Sequence, residues 1–219
     1  GGNDSQNITI NTISSNPSSL PIEESFESSQ MLGANWSIKN PDNSFTWEQN
    51  SNAIDGSYST YMNNYDYNSP GQEDDLISPF FDLSLFSWPR LTFKHAYSLY
   101  SNTYPDTLTV LITNDCGITN TIIYQKYGSA LSTTQGFTQQ AFVPNQSQWA
   151  GDTIMLNAFI SFDKAQLIFR NTNKYGNNLY LDHIMIDGAN NISYLNTTSP
   201  IEMLQTKEHL KFYFKNSGT

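Results

Sequence analysis

Cysteine is all but missing: Cys116 stands alone in 219 residues, so no disulfide can close within the chain. A chain of this length can bury enough apolar surface to fold without one. Charge is also sparse, at 14% of residues, and the 20 Asp and Glu outnumber the 10 Lys and Arg. The resulting formal charge of −10 excludes a nucleic-acid backbone or an anionic membrane surface as the main partner. No apolar run is long enough for a membrane span, which excludes membrane insertion through a helix. Convincing helical periodicity is confined to one short window at most. The catalytic signatures are missing as well: there is no His-Glu-x-x-His, no Gly-x-Ser-x-Gly and no Gly-Lys-Ser/Thr. His95, His183 and His209 are too far apart for helical zinc spacing. Asp74 and Asp75 are adjacent, so on a strand they point to opposite faces and cannot act as an acid–base pair. They read as part of a solvated acidic turn, Gly71 to Asp75. Cys116 follows a turn aspartate with no histidine nearby, and reads as structural. The chain opens Gly1-Gly2-Asn3-Asp4 without a leader, and is expected to be a piece of a longer protein.

What is abundant points one way. Aromatics make up 14%, with 13 Tyr and 13 Phe, amid Ser, Thr and Asn, a mixture suited to short strands and many turns. Period-two segments are clearest at Arg90 to Tyr97 and at Thr107 to Thr113, where Leu108, Val110 and Ile112 face inward. Asn114-Asp115-Cys116-Gly117 turns the second into a hairpin partner at Thr121 to Tyr124. Further strands are expected at Gly33 to Ile38, Phe45 to Glu48, Leu76 to Leu83, Thr153 to Asn157, Ala165 to Arg170 and 178–187. The fold class is all-β: an antiparallel β-sandwich of jelly-roll type, with roughly ten strands. Residues 1–20 read as a linker or the tail of a preceding domain, 21–188 as the sandwich, and 189–219 as a linker and the start of a C-terminal module or tail.

The last strand holds the most informative residue. In Asn178-Leu179-Tyr180-Leu181-Asp182, Leu179 and Leu181 share one face and Tyr180 and Asp182 the other. A carboxylate near a core is normally paired or metal-bound. Asp182 is therefore expected to share a calcium site with Glu27 of the first strand, tying the two ends of the domain together. Asp42, Asn43 and Glu48, around a turn near the first strands, are further candidate oxygen ligands. The plainer alternative for Asp182 is a hydrogen bond to a backbone amide.

A resemblance joins these pieces. Phe26-Glu27, Asn35-Trp36, Thr46-Trp47, Glu73-Asp74-Asp75-Leu76-Ile77-Ser78-Pro79, Asp82-Leu83-Ser84, Asp115-Cys116-Gly117 and Tyr175 to Ile184 follow in order over about 20–188. The set resembles the cleaved-adhesin, or choice-of-anchor J, domain, a jelly-roll relative of MAM domains and of calcium-bearing carbohydrate-binding modules. The resemblance implies a non-catalytic adhesion or substrate-targeting module of a larger secreted enzyme, a metallopeptidase of gingipain-like or pappalysin-like type. It implies a secreted or cell-surface location, neighbouring domains on the same polypeptide, and type IX secretion. His183 stands where the family usually has Asn, and Leu210 to Gly218 lacks the Pro-Asn-Pro of a sorting domain.

Two ligand classes stay open, an extracellular protein and a glycan. For a carbohydrate-binding module of a polysaccharide-degrading enzyme, an aromatic platform with polar neighbours is needed, because sugars present C–H faces and hydroxyl rims. Tyr61, Tyr65, Tyr67, Tyr97 and Tyr100 could supply it beside Asn63, Asn64, Asp66 and Asn68, with Trp88 as a further exposed candidate. Covering the sandwich edges is the alternative role of these tyrosines, whereas Trp36 and Trp47 are expected in the core.

Overall fold

The computed structural model describes residues 16–33 and 35–190. Its strands are β1 (Ile22–Glu24), β2 (Ser37–Lys39), β3 (Glu48–Asn50), β4 (Ser59–Met62), β5 (Glu73–Ile77), β6 (Phe86–Tyr97), β7 (Thr107–Thr113), β8 (Thr121–Tyr127), β9 (Ala150–Met155), β10 (Gln166–Thr172) and β11 (Leu179–Asn190). Two antiparallel sheets result, one ordered β3-β4-β11-β6-β9 and the other β2-β5-β10-β7-β8. The all-β sandwich is as expected, and the described residues contain no α-helix.

The first sheet is built on β11, which is long enough to take two partners along one edge. β4 pairs with its first part, Leu179 to Leu181, and β1 with Ile184 to Ile186. β6 runs along the other edge. First and last strands therefore lie side by side. A bulge between Asp182 and Met185 inserts one residue, and His183 takes φ +48 there. Because side chains alternate, the insertion resets the phase. Leu179 and Leu181 face the core before it, and Ile184 and Ile186 after it, all fully buried. A second irregularity lies on β6 opposite Asp187 and Ala189, where Trp88 has φ +57.

Phe93 of β6 bridges the sheets, with its ring edge-on to Tyr124 of β8 at 5.3 Å and to Phe169 of β10 at 5.6 Å. At the open edge between β8 and β9, Asp152 accepts from Tyr124 Oη (2.7 Å) and Lys126 Nζ (2.8 Å), with His95 Nδ1 3.3 Å away. Burial favours the neutral form of His95 and lowers its pKa. Trp36 and Trp47 are core residues, as expected, while Trp88 is exposed and Trp149 half-buried.

Several expectations need correction. Glu73 to Asp75 is not a solvated turn but the start of β5, with Asp74 and Asp75 both buried. Asp75 faces outward into a bidentate pair with Arg170, at 2.7 and 2.9 Å, which offsets its desolvation. Asp74 faces inward. The residues around Tyr61 form a strand that the sequence did not suggest, β4, and Glu27, expected on the first strand, lies just beyond β1. Cys116 packs into no core; it is exposed in the β7–β8 turn at φ +60. Ser18 bonds Phe80 O at 2.6 Å, and β11 runs to Asn190, so the sandwich extends slightly beyond 21–188 at both ends. Of the expected linkers at 1–20 and 189–219, residues 1–15 and 191–219 lie outside the described residues, as do His209 and the tail at Leu210 to Gly218.

Phe93→Ala removes the ring that joins the two sheets. It is expected to cost about 3–5 kcal/mol in a denaturant titration, as large-to-small changes of a fully buried Phe do.

Candidate functional site

Asp182 and Glu27 both act on one loop, the β3–β4 connection at 51–58. Asp182 Oδ2 accepts from the amides of Ile54 (2.9 Å) and Asp55 (3.2 Å), and Oδ1 from His183 N (2.7 Å). Glu27 Oε1 accepts from Ser57 N (2.8 Å) and Tyr58 N (2.7 Å). Gly56, at φ +66, lies between these contacts, and a Cβ there would run into the Glu27 carboxylate. Burial raises the pKa of Asp182 although three amides favour its charged form. Asp55 adds a third carboxylate, 3.3 Å from His183 Nδ1. Asp182 thus caps backbone amides, the plainer of its two expected roles, on the strand that pairs with β1.

Just before Asp182 in the chain, the turn that leads into β11 gathers three loops. Asp106, fully buried, accepts from the amides of Lys174 (2.7 Å), Gly176 (3.2 Å) and Asn177 (2.8 Å), and its Oδ2 lies 3.1 Å from the donating hydroxyl of Tyr97. Burial pushes its pKa up to about 6 against the pull of these bonds. Asn177 donates to Thr138 O (2.7 Å) and Gln140 O (3.0 Å) and accepts from Phe142 N (2.8 Å). Asn178 accepts from Tyr65 N at 3.4 Å, and Asn173 donates to Tyr67 O (2.7 Å) and Ser69 O (3.0 Å).

These bonds fix a row of tyrosines. Tyr65 from the β4–β5 loop, Tyr100 and Tyr104 from the β6–β7 loop, and Tyr175 from the β10–β11 turn meet edge to face. Successive ring centroids are 6.2, 6.1 and 6.2 Å apart. Tyr104 and Tyr175 are exposed, Tyr65 and Tyr100 half-buried. Lys174 and Asp66 are exposed in the same loops.

The other sequence candidates separate. Tyr67 and Tyr97 are corrected to core residues: both are buried, with hydroxyls bound by Asp42 (2.6 Å) and Asp106. A ring enclosed on both faces cannot stack on a ligand. Tyr61 lies on the outer face of the first sheet, stacked on Tyr180 at 5.3 Å beside Phe142 and Trp149. Trp88 projects over a shallow depression with Arg90, Met155 and Asp187, away from the row. Asp42 and Asn43 occupy the β2–β3 turn, where Asp42 Oδ1 accepts from Ser44 N. Glu48 is exposed on β3 across from Tyr61. Among the described residues these three share no hydrogen bond with Glu27 or Asp182, and no three acidic, His or Cys side chains converge on one point. Tyr104 and Tyr175 were missed. Tyr175 stands directly before Gly-Asn-Asn, and a tyrosine leading into such a turn is the signal that could have found it.

No family model matches the sequence, and no curated protein matches it. Solved structures do. The chain is similar to the K1 cleaved adhesin domain of Lys-gingipain from Porphyromonas gingivalis, at 18% identity over 77% of this chain and 98% of that one, with a TM-score of 0.55. It is similar to the K3 cleaved adhesin domain of the same protein at 16% identity, over 75% and 97%, with a TM-score of 0.52. A third likeness is to the CBM27-1 module of Caldicellulosiruptor saccharolyticus, solved with mannohexaose, at 15% identity over 76% and 96%, with a TM-score of 0.50. At these identities the likeness establishes the fold, which is the jelly-roll sandwich of the cleaved adhesin domains.

Asp106 yields a pH prediction. Its folded pKa of about 6 lies above the unfolded value of about 3.9, so between them the folded state holds more protons. Its contribution to stability therefore falls as pH rises from about 4 to about 6 and is level above that. Asp106→Asn should remove this slope from stability-versus-pH curves. It should also lower stability at neutral pH, because an amide offers one acceptor oxygen where the carboxylate offers two. Gly176→Ala is expected to destabilise by about 1–3 kcal/mol in chemical denaturation, since its Cβ would meet the Asp106 carboxylate and Tyr104 O.

Proposed function

We propose that this chain is a non-catalytic binding module of a larger secreted or cell-surface enzyme, a peptidase, and that Tyr65, Tyr100, Tyr104 and Tyr175 are its ligand surface. The observation that carries this reading is the row itself. Three separate loops deliver tyrosines to one line, and buried Asp106, Asn173, Asn177 and Asn178 hold those loops in place. Rings fixed before binding lose little entropy on contact. A tyrosine presents an apolar face and a polar tip, which suits protein and glycan ligands alike.

The second reading is a carbohydrate-binding module of a polysaccharide-degrading enzyme. The same row favours it, since stacked rings match the C–H faces of pyranose sugars, and so does the likeness in fold to a module solved with mannohexaose. Immobilised glycans, mannohexaose among them, screened in parallel with extracellular proteins would separate the two. Tyr100→Ala and Tyr175→Ala should each weaken binding of the ligand found by about 1 kcal/mol, a factor of roughly five. Tyr67→Phe, a core change, should leave affinity unaltered. The reverse pattern would remove the surface from this end of the sandwich.

A structural calcium ion belongs to the same proposal. Glu27 and Asp182 would hold it, joining β1, β11 and the 51–58 loop. The donor set fits: hard oxygens, an excess of carboxylates around the loop, and Asp182 desolvated by burial. Loop carbonyls and water would complete the shell, because only these two of the expected ligands act on the loop. At free calcium one hundred times its dissociation constant, binding to the folded state alone adds about 2.7 kcal/mol. Chelation should lower the melting temperature of the native domain, and Asp182→Asn should lose the part of that shift due to this site. An undiminished shift in the variant would show that Asp182 is an amide cap and nothing more.

A further inference from the structure

The hydroxyls of the tyrosine row set it apart from the buried tyrosines. Those of Tyr67, Tyr97 and Tyr180 are bound within the fold, by Asp42, Asp106 and Phe142 O. Those of Tyr65, Tyr100, Tyr104 and Tyr175 make no hydrogen bond among the described residues, and none is buried. The loops that carry the row expose one charge of each sign, Lys174 and Asp66. The row therefore offers aromatic rings and hydroxyl donors that are free to turn, on a surface of balanced charge.

Its geometry selects among ligands. Neighbouring rings are inclined to one another by 62°, 66° and 77°, so the row is a set of ridges with clefts between them, not a plane. One tyrosine face can take one sugar ring, but a run of pyranoses finds no shared platform. All four rings stand on loops, which present no ladder of strand amides for β-strand addition. An amphipathic helix spends its carbonyls on its own hydrogen bonds and leaves little for the hydroxyls to bind. A polyproline II segment is the complementary case. It has no internal hydrogen bonds, so its carbonyls are open acceptors along its whole length. Proline has no N–H, so no donor of the ligand is stranded against the rings. Pyrrolidine rings are compact and apolar, and aromatic-lined grooves are the surfaces that take proline-rich chains. The lengths agree as well. The row is under about 19 Å long, which six residues at ~3.1 Å each would cover. Both partners are ordered in advance, the rings by Asp106, Asn173, Asn177 and Asn178 and the peptide by its fixed φ, so little entropy is lost on contact.

We propose that the tyrosine row binds an uncharged, proline-rich peptide segment in the polyproline II conformation. The inference rests on the row being the ligand surface and names the class of ligand that the surface takes. Pyrrolidine rings lie in the clefts between Tyr65, Tyr100, Tyr104 and Tyr175, and the tyrosine hydroxyls donate to peptide carbonyls.

Nuclear magnetic resonance titration of the labelled native domain tests it. The probes are two end-blocked decapeptides, decaproline and alternating alanine–proline, with a glycine–serine decapeptide and mannohexaose as controls. Both proline peptides are expected to shift the resonances of Tyr65, Tyr100, Tyr104 and Tyr175 and to leave those of Tyr61 and Trp88 in place, while the glycine–serine peptide shifts none. Tyr104→Phe keeps the ring and loses the hydroxyl, and should weaken decaproline binding about fivefold. Tyr104→Ala should weaken it further. Tyr104 is exposed, so neither change disturbs the core. Row resonances unmoved by both proline peptides would overturn the inference, and so would shifts confined to residues away from the row. Affinity unchanged in Tyr104→Phe would overturn it too, because the hydroxyl–carbonyl bonds are what single out this backbone. If mannohexaose alone moves the row, the surface stands and its ligand is a glycan. A row unmoved even by the ligand found in the glycan and protein screen would remove the surface itself.

Discussion

A backbone amide withdrawn from water needs an acceptor, and in this sandwich the loops find theirs in buried carboxylates and asparagines. Asp106 gathers three amides of the β10–β11 turn, and Asp182 two of the 51–58 loop. Glu24 does the same for the start of the domain, accepting from Phe26 N (2.8 Å) and Gly33 N (2.6 Å). The loops carry little regular structure of their own. Their shape is set by side chains anchored on β1, β10, β11 and the ends of the sheets, and the exposed tyrosines inherit their positions from that arrangement.

The same device explains the charge balance. Acids outnumber bases two to one, yet several acids are buried. Where an amide, Arg170 or Lys126 faces the carboxylate, charge is compensated within the fold. Asp74 keeps more of its desolvation cost, with the Thr46 hydroxyl beside it and its pKa raised by burial to about 6. Around Glu27, Asp55 and Asp182 the balance is intermediate, with amides engaged and acidic charge still in excess.

Strands were legible where their period was clean. Thr107 to Thr113 has the limits its alternation suggests, and Leu179 to Asp182 reads correctly face by face. β4 was hidden because Ser59-Thr60-Tyr61-Met62 sits in a polar, turn-like run, and packing against β11 makes it a strand. Glu73-Asp74-Asp75 looked solvated by composition, since nothing local reveals that Arg170 arrives from 95 positions away. The bulge at His183 leaves no mark in the residue types. The tyrosines divide on tertiary contacts: the hydroxyls of Tyr67 and Tyr97 find half-buried Asp42 and buried Asp106, and both rings lie in the core, whereas Tyr104 and Tyr175 are exposed. Sequence could propose a tyrosine surface but could not sort its members.

The central claim is that buried side chains hold the tyrosine-bearing loops rigid before any ligand arrives. Amide hydrogen exchange on the unliganded native domain tests it most directly. The account predicts that the amides of Tyr65, Phe142, Lys174, Gly176 and Asn177 exchange as slowly as those of Leu179 and Leu181 in β11. Exchange at those loop amides near the rate of an unstructured chain, with β11 protected, would contradict it.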